Sequence, residues 1–371
     1  MKKSLIALAV AGTLVAPVAM ADTSNVEVYG QMNMSLDMVK SGETAANGGS
    51  VSANQVVSNE SRIGFKGSED LSGGMSAIFE VEGDVWADSG IGLLATRTAF
   101  AGLKSDMAGS VTLGTQYSPY RQSTRKLDLF ADGIADNRSL MGGGDNTALP
   151  LSNLDATYTN SINYMSPSWA GVSVAAAYRM GAEQAAATTD TKGKTISLAV
   201  MYDMAPFYAT IAQQKTTYGS ASGDDQGTDG DSDKGFKVGG SFKMDMFAVN
   251  AVIEKLTNDQ TGSLNGVNKS TNIYVAGQFN ITSNDAVKLA ITKAGDWKTD
   301  GVTNVDSGAR QMSLGYDHNL SKRTTVYALY TKLDNKATID NCLRGKSYDG
   351  PNNCSNDANP SAFSFGMKHS F

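Results

Sequence analysis

One long interval of the sequence, from Pro119 to Thr159, carries closely spaced acidic and basic residues. They are Asp128, Asp132, Asp136 and Asp145 beside Arg121, Arg125, Lys126 and Arg138. Carboxylates and guanidinium groups at such spacing can form ion pairs and set up a local electric field, and rings of such charges select ions in narrow wet passages. Because a structureless interval of about forty residues is uncommon in a compact domain and is usually functional, we expect a functional loop here.

Catalytic chemistry has few candidates in this sequence. Hydrolysis normally requires a histidine near a nucleophile or a carboxylate, yet the chain has only His318 and His369, both at the ends of predicted strands. No G-x-S-x-G motif, phosphate-binding loop or metal-ligand motif occurs. Two cysteines without clustered histidines make no zinc site. We therefore expect no enzymatic activity and no cofactor.

The N-terminus has the pattern of an export signal. Lys2 and Lys3 precede an apolar run, 5–20, that ends in the small-residue sequence Ala-Met-Ala. This pattern predicts a signal peptide over 1–21 and one mature domain over 22–371. A membrane-anchoring helix is the alternative, although a proline interrupts the run. No later segment holds eighteen consecutive apolar residues, so no other helix is expected to cross a membrane.

The mature chain shows apolar residues at every second position in segment after segment. This period indicates strands with one apolar and one polar face. Sixteen strands are predicted, over 25–38, 60–68, 75–86, 96–104, 109–118, 160–166, 171–180, 195–204, 207–217, 235–244, 247–256, 271–281, 286–295, 309–318, 323–333 and 361–371. A solenoid or propeller is the rival architecture, but the chain has no fixed repeat period.

Short turns and long polar connectors alternate between these strands, which is typical of an up-and-down barrel in an outer membrane. An open sheet would expose unpaired backbone groups to lipid, so the barrel must close. Sixteen strands enclose a lumen that side chains cannot fill. We therefore predict an all-β fold, a 16-stranded antiparallel up-and-down transmembrane β-barrel with an aqueous interior.

Several segments of the sequence are similar to segments of known outer-membrane proteins. The last strand alternates apolar and small or charged residues up to Phe371, an ending similar to the one that the barrel-assembly machinery reads. Segments 61–74, 77–80, 97–104, 109–114, 164–171 and 320–324 resemble the strand and turn phrases of general bacterial porins. The chain is thereby identified as a member of the Gram-negative general porin family.

The resemblance implies a homotrimer of barrels in the outer membrane of a Gram-negative bacterium, in contact with lipid and lipopolysaccharide. In each barrel the long third loop would fold into the lumen and form a constriction. Small hydrophilic solutes and ions would then diffuse passively through it, and nucleic acid is not an expected partner. An adhesin or receptor acting through its external loops is the alternative function.

The resemblance also suggests residues for the constriction. Arg62 and Arg97 match wall arginines of the family, and the alternation of their strands points both of them, with Lys66, away from the apolar face. An arginine on the lipid face would cost about 2–4 kcal/mol at the membrane midplane, which also favours the inward position. Glu80 has a counterpart facing the pore. Which loop carboxylate faces the arginines stays open among Asp128, Asp132, Asp136 and Asp145.

Two features of the external loops complete the predictions. Cys342 and Cys354 lie in the last long loop, where an oxidising compartment favours a disulfide over two free thiols. The acidic run 224–233 is either a solvated loop or a site for divalent cations that bridge to lipopolysaccharide. The sequence leaves selectivity between cations and anions open, because the acidic chain also carries wall arginines.

Overall fold

The computed structural model describes residues 25–43, 48–143, 154–181, 193–219, 230–260, 266–344 and 357–371. The predicted signal peptide, Asp145 and Cys354 lie outside these ranges. The described residues are almost entirely β-strand, and none of their helices is long and apolar enough to cross a membrane.

The regular elements of the described residues are nineteen strands, one α-helix and one short 3₁₀ helix. The strands are β1 (Asn25–Lys40), β2 (Ser52–Ser58), β3 (Arg62–Asp70), β4 (Met75–Trp86), β5 (Ile91–Ser105), β6 (Gly109–Tyr117), β7 (Thr157–Met165), β8 (Val172–Met180), β9 (Lys194–Met204), β10 (Phe207–Thr217), β11 (Ser232–Lys243), β12 (Phe247–Gln260), β13 (Gly266–Asn280), β14 (Asp285–Ala294), β15 (Lys298–Thr299), β16 (Val302–Thr303), β17 (Ala309–Asn319), β18 (Thr324–Asn335) and β19 (Ser361–Ser370). Helix α1 (Pro119–Arg125) and the 3₁₀ helix (Asn137–Ser139) lie between β6 and β7.

These strands form one closed antiparallel sheet with sixteen wall positions. Strands β2 and β3 share one position, because β2 pairs with the second half of β1 and β3 with the first half. The β15–β16 hairpin is a short side branch on β13, while β14 pairs directly with β17. Strand β19 pairs along β1, from Gln31 opposite Ser370 to Lys40 opposite Ser361, and closes the barrel. The predicted 16-stranded antiparallel barrel is confirmed.

The apolar residues of the strands lie on the outside of the barrel. On β9 the side chains of Ile196 and Leu198 are 44% and 49% exposed, whereas the intervening Ser197 is 1% exposed. The same alternation runs along β10, β12 and β14. Apolar side chains on the outside of a closed barrel are stable in contact with lipid. Closure also pairs the backbone N–H and C=O groups of every strand, so none is left unpaired in the lipid.

Five elements of the structure are absent from the sequence prediction, namely β2, β15, β16, helix α1 and the 3₁₀ helix. The sequence of strand β2 does not alternate between apolar and polar residues, because its two valines are neighbours, with Val56 exposed and Val57 buried. The two-residue strands β15 and β16 are too short to show a period. Helix α1 begins with Ser118, whose hydroxyl accepts a hydrogen bond from the backbone N–H of Arg121, followed by a proline in the first turn. Both are ordinary helix-start signals.

Candidate functional site

We call the segment between β6 and β7, residues 118–156, the β6–β7 loop, and its described parts, 118–143 and 154–156, pack against polar faces of distant strands. The Tyr120 hydroxyl donates to Glu254 Oε1 on β12 at 2.7 Å, and the Tyr120 N–H donates to Ser197 Oγ on β9 at 3.0 Å. Asn250 Nδ2 donates to the carbonyl of Leu127 at 2.7 Å. These partners stand on the face of their strands opposite to the exposed apolar residues.

A buried cluster of charges holds both ends of the β6–β7 loop to the wall. Lys237 Nζ on β11 lies 2.7 Å from Asp155 Oδ1 and 3.4 Å from Glu254 Oε1, and it stands 4.1 Å from the centre of the Tyr120 ring. The Gly142 N–H donates to the other Glu254 oxygen at 2.9 Å. Lys237 and Glu254 are almost fully buried, so each charge depends on the other.

The largest charge cluster of the described residues centres on Glu60, in the break between β2 and β3, and we call it the Glu60 network. Its arginines come from a strand, the β6–β7 loop and the last loop: Arg97 at 3.3 Å, Arg138 at 3.0 Å, Arg344 at 3.3 Å and Arg125 at 3.8 Å. A carboxylate that faces four guanidinium groups fixes the relative positions of three separate segments.

Two wall arginines join the Glu60 network through carboxylates of β4. Arg97 Nε lies 2.6 Å from Glu82 Oε1, and Arg97 Nη1 lies 2.9 Å from Asp84 Oδ1. Arg62 Nε lies 3.7 Å from Glu82 Oε2, and Arg62 Nη1 lies 3.3 Å from Asp132 Oδ2 of the β6–β7 loop. The predicted residues Arg62, Arg97 and Asp132 therefore meet in one cluster.

The acids of the β6–β7 loop have different partners within the cluster. Asp132 pairs with Arg125 as well as with Arg62. Asp136 is fully buried and makes a bidentate pair with Arg138, Nε to Oδ1 at 2.9 Å and Nη2 to Oδ2 at 2.6 Å. Burial alone would raise the pKa of Asp136, but Arg138 outweighs it and holds that pKa well below the usual range.

Two other predicted residues, Lys66 and Glu80, lie beside the Glu60 network without an arginine among their ion-pair partners in the described residues. Lys66 pairs with Glu27 at 3.3 Å and is half-exposed. Glu80 accepts a hydrogen bond from Thr98 at 2.6 Å. Both line a cavity of about 580 Å³ whose wall also includes Arg121 and Arg125. Lys66 and Glu80 therefore face the same cavity as Glu82 and Arg125 of the network, without pairing with a network arginine.

Asp128 supports the shape of the β6–β7 loop. Its carboxylate accepts hydrogen bonds from the backbone N–H groups of Phe130 and Asn137, both at 2.9 Å, and from the Tyr274 hydroxyl at 3.0 Å. Burial, followed by the charge of Asp136, raises the pKa of Asp128 to about 6. Of the loop carboxylates left open by the sequence, Asp132 pairs with the wall arginine Arg62, whereas the hydrogen bonds of Asp128 go to the loop backbone and to Tyr274. Asp145 lies outside the described residues.

Sequence reasoning missed six members of the Glu60 network as site residues, and they are Glu60, Glu82, Asp84, Arg125, Arg138 and Arg344. Arg125 and Arg138 were visible as bases of the charged interval, and the two-residue spacing of Asp136 and Arg138 was a usable signal. Glu60 and Arg344 carried no signal, because the contact between them joins positions 284 residues apart in the chain. Such contacts depend on tertiary structure, not on local pattern.

Three of the five arginines of the network are more exposed to water than its carboxylates, whereas Arg97 and Arg138 are only 8% and 5% exposed. The side chains of Arg125, Arg62 and Arg344 are 26%, 23% and 19% exposed. Those of Glu60, Glu82, Asp84 and Asp132 are 10–12% exposed, and that of Asp136 is 0% exposed. Five arginines balance five carboxylates, yet the surface that water meets is mainly cationic.

The other predicted features are only partly within the described residues. Cys342 is disulfide-bonded, and its predicted pairing with Cys354 stays a prediction. Of the acidic run 224–233, Asp233 accepts hydrogen bonds from the Tyr218 hydroxyl and from Asn258 Nδ2. No group of three or more metal-ligating side chains occurs among the residues that the structure covers.

Comparison with known proteins gives consistent matches over nearly the full chain. A family model described as Gram-negative porin matches residues 5–338. Outer membrane porin protein 32 of Delftia acidovorans is 32% identical, over 91% of this chain and 90% of that protein. Major outer membrane protein P.IB of Neisseria sicca is 28% identical, over 88% and 92%.

Solved structures show the same barrel. The anion-selective porin from Comamonas acidovorans superposes with a TM-score of 0.78 at 24% identity, over 94% of this chain and all of that one. A trimer form of OmpT of Vibrio cholerae gives a TM-score of 0.68 at 17% identity. The chain therefore belongs to the Gram-negative porin family, and it is an outer-membrane channel built as a closed sixteen-stranded antiparallel β-barrel.

Proposed function

We propose that this porin conducts small hydrophilic solutes and ions by passive diffusion through a charged constriction, with a preference for anions. The β6–β7 loop lies in the lumen and narrows it. Its contacts with polar faces of β9 and β12 support this position, since those faces point away from the exposed apolar surface. The Glu60 network then forms the narrowest part of the water-filled passage.

The anion preference follows from the unequal exposure within the network. Arg62, Arg125 and Arg344 present their charges to water. The carboxylates of the network are less exposed than these three arginines, and their charges are balanced by the arginines that they contact. Low-dielectric walls concentrate the resulting field in the passage. The anion-selective porin from Comamonas acidovorans, which has the same fold, agrees with this direction.

The buried end of the β6–β7 loop adds to the cationic character. Arg121 has no carboxylate within 4 Å among the described residues, and its Nη1 donates to the Asp155 carbonyl at 2.8 Å. Its guanidinium group stands 4.0 Å from the centre of the Tyr117 ring. Burial, and then the charge of Arg138, lowers the pKa of Arg121 to about 10, so the group remains protonated at neutral pH.

The mature protein begins after the predicted signal peptide 1–21 and assembles as a homotrimer in this proposal. The exposed apolar surface supports contact with outer-membrane lipid and with neighbouring copies. The strand that ends at Phe371 suits recognition by the barrel-assembly machinery, and the outer loops suit contact with lipopolysaccharide. The trimer form of the Vibrio cholerae relative agrees with the assembly.

The proposed selectivity is tested by reversal potentials in planar bilayers under a KCl gradient. We expect wild-type channels to pass chloride more readily than potassium, and Arg62→Gln to lower that permeability ratio about twofold, because one charge about 8 Å from an ion in water is worth roughly 0.5 kcal/mol. Arg310→Gln is the matched control, since Arg310 is exposed and pairs with Asp334 outside the network. A wild-type preference for potassium, or equal ratios for wild type and Arg62→Gln, would overturn the proposal.

A further inference from the structure

The segment that follows β18, residues 336–344, packs against the β6–β7 loop and the barrel wall, and we call it the inner arm of the last loop. Ile339 and Leu343 are 2% and 3% exposed, and they belong to one apolar cluster with Ile134 and Leu140 of the β6–β7 loop. Leu333 of β18 joins the same cluster. The inner arm therefore contacts the β6–β7 loop and the wall at once.

Polar contacts fix the inner arm at its base. Asn335 Nδ2 donates to the carbonyls of Asn341 and Ala358, both at 2.7 Å, and Asn341 Nδ2 donates to Asn335 Oδ1 at 3.2 Å. All of these groups are buried. Buried amides that are paired in this way hold one backbone geometry, because any other arrangement would leave polar groups unsatisfied.

The end of the inner arm carries a charge into the Glu60 network. The Arg344 N–H donates to Ser139 Oγ at 3.0 Å, and Arg344 Nη2 lies 3.3 Å from Glu60 Oε1. Arg138 Nη2 lies 3.0 Å from the same oxygen. Two guanidinium groups that share one carboxylate oxygen repel each other, so a restraint on the more exposed Arg344 would help to hold it in place.

Such a restraint lies two residues before Arg344. Cys342 is disulfide-bonded and 9% exposed, between the buried side chains of Ile339 and Leu343. A disulfide limits the conformations open to the segment that it closes. The arm is thus pinned on both sides of its apolar contact, by the Asn335 amide and by the Cys342 sulfur.

We infer that Arg344 is a selectivity-determining residue of the pore, and that the disulfide of Cys342 acts as the tether that holds it in the Glu60 network. This inference rests on the proposed function, because it assigns to the last loop part of the field that favours anions. The last loop then supplies a second side of the constriction, in contact with the β6–β7 loop.

The test compares reversal potentials of wild type and five variants in the same bilayers and salt gradient, with Arg344→Lys as a charge-retaining variant. The other four are Arg344→Gln, the double variant Cys342→Ser/Cys354→Ser, the triple variant that combines these three changes, and the control Arg310→Gln. We expect Arg344→Gln to lower the chloride-to-potassium permeability ratio about twofold, and Arg310→Gln to leave it unchanged. Arg344→Lys should restore most of the wild-type ratio, because it keeps the charge.

The double serine variant separates the tether from the charge. It should lower the ratio in the same direction, and the triple variant should equal Arg344→Gln, because changes that act through one group are not additive. Far-UV circular dichroism checks that each barrel is folded. A wild-type ratio in Arg344→Gln overturns the selectivity role, and a wild-type ratio in the serine variant, or additive effects in the triple variant, overturns the tether.

Failure of this inference is distinguishable from failure of the proposed function. If wild type prefers chloride and Arg62→Gln lowers the ratio while Arg344→Gln does not, only the role of Arg344 is wrong. If wild type shows no preference for chloride, the proposed function itself is wrong.

Discussion

Glu60 has a backbone φ of 51°, a left-handed conformation that residues other than glycine adopt at a cost of about 1–3 kcal/mol. It stands where β2 ends and β3 begins, and its side chain is directed at four arginines. Asp132, another acid of the network, has a φ of 68°. Backbone strain at two charged residues of one cluster is maintained by the ion pairs that these residues make.

Replacing the central carboxylate should shift selectivity in the direction opposite to the arginine variants. In Glu60→Gln, four arginines lose a shared counter-charge, so we expect a higher chloride-to-potassium permeability ratio and a loss of stability on the order of 3 kcal/mol. Reversal potentials and urea unfolding in detergent micelles measure the two effects. Glu69→Gln, at the exposed end of β3, is the control. An unchanged ratio in Glu60→Gln would remove Glu60 from the constriction.

Single residues of the site could be predicted only where the alternation of apolar and polar residues along a strand shows which face a side chain lies on. Arg62 and Arg97 lie in strands of clear period, and they do reach the network. Lys66 lies on the same face of β3 as Arg62, but it is farther along the strand and pairs with Glu27 of β1. Alternation determines which face of a strand a residue lies on, but it does not determine how far along the barrel axis the residue lies. Asp128 illustrates a further limit, since a carboxylate in a loop can serve its own backbone instead of a partner.

At the scale of elements, the β6–β7 loop is anchored at its base by a lysine between two acids. Lys237 on β11 contacts Asp155 and Glu254, while Glu254 also accepts hydrogen bonds from Tyr120 and Gly142. Both ends of the loop therefore converge on one buried charge. Removing that charge would leave two carboxylates buried without a cation.

We expect Lys237→Met to lower the free energy of unfolding by about 3–5 kcal/mol, the usual cost of breaking a buried ion pair on one side. The β6–β7 loop should loosen as well, and single-channel currents should become noisier. Lys234→Met changes an exposed lysine on the same strand and should have little effect on either measurement. Equal unfolding curves and equally quiet currents for the two variants would show that Lys237 does not hold the loop.

Elements with a regular period were predictable, and those fixed by tertiary contacts were not. The strands followed from the alternation, because one face meets lipid and the other water. Helix α1 could have been predicted from Ser118 and Pro119, which are a helix cap and a favoured first residue. The inner arm of the last loop gave no pattern, since its apolar residues Ile339 and Leu343 are held by partners far away in the sequence.

At the scale of the whole molecule, the barrel closes through a contact that requires glycine. The N–H of Gly30 donates to the carbonyl of Phe371, and the N–H of Phe371 donates to the carbonyl of Gly30, both at 3.1 Å. A Cβ atom at Gly30 would lie 2.5 Å from the Phe371 ring. The terminal residue thus extends the pairing of β19 with β1 to the edge of the wall.

The overall charge of the chain does not determine what the pore selects. The full sequence has a formal net charge of −6, whereas the Glu60 network pairs five arginines with five carboxylates and exposes mainly the arginines. Because exposed charges more than about 10 Å away are screened by salt, the local arrangement governs ions in the passage. Acidic residues elsewhere on the chain contribute little there.

The central claim is that alternate residues of β3 face a water-filled passage at the Glu60 network. It is tested most directly by measuring the channel current while an anionic, water-soluble thiol reagent is added to Arg62→Cys and, in parallel, to Ile63→Cys, which lies on the opposite face of the strand. We predict that the reagent reduces the current through Arg62→Cys and leaves that through Ile63→Cys unchanged. An Arg62→Cys channel that the reagent does not affect would contradict the account.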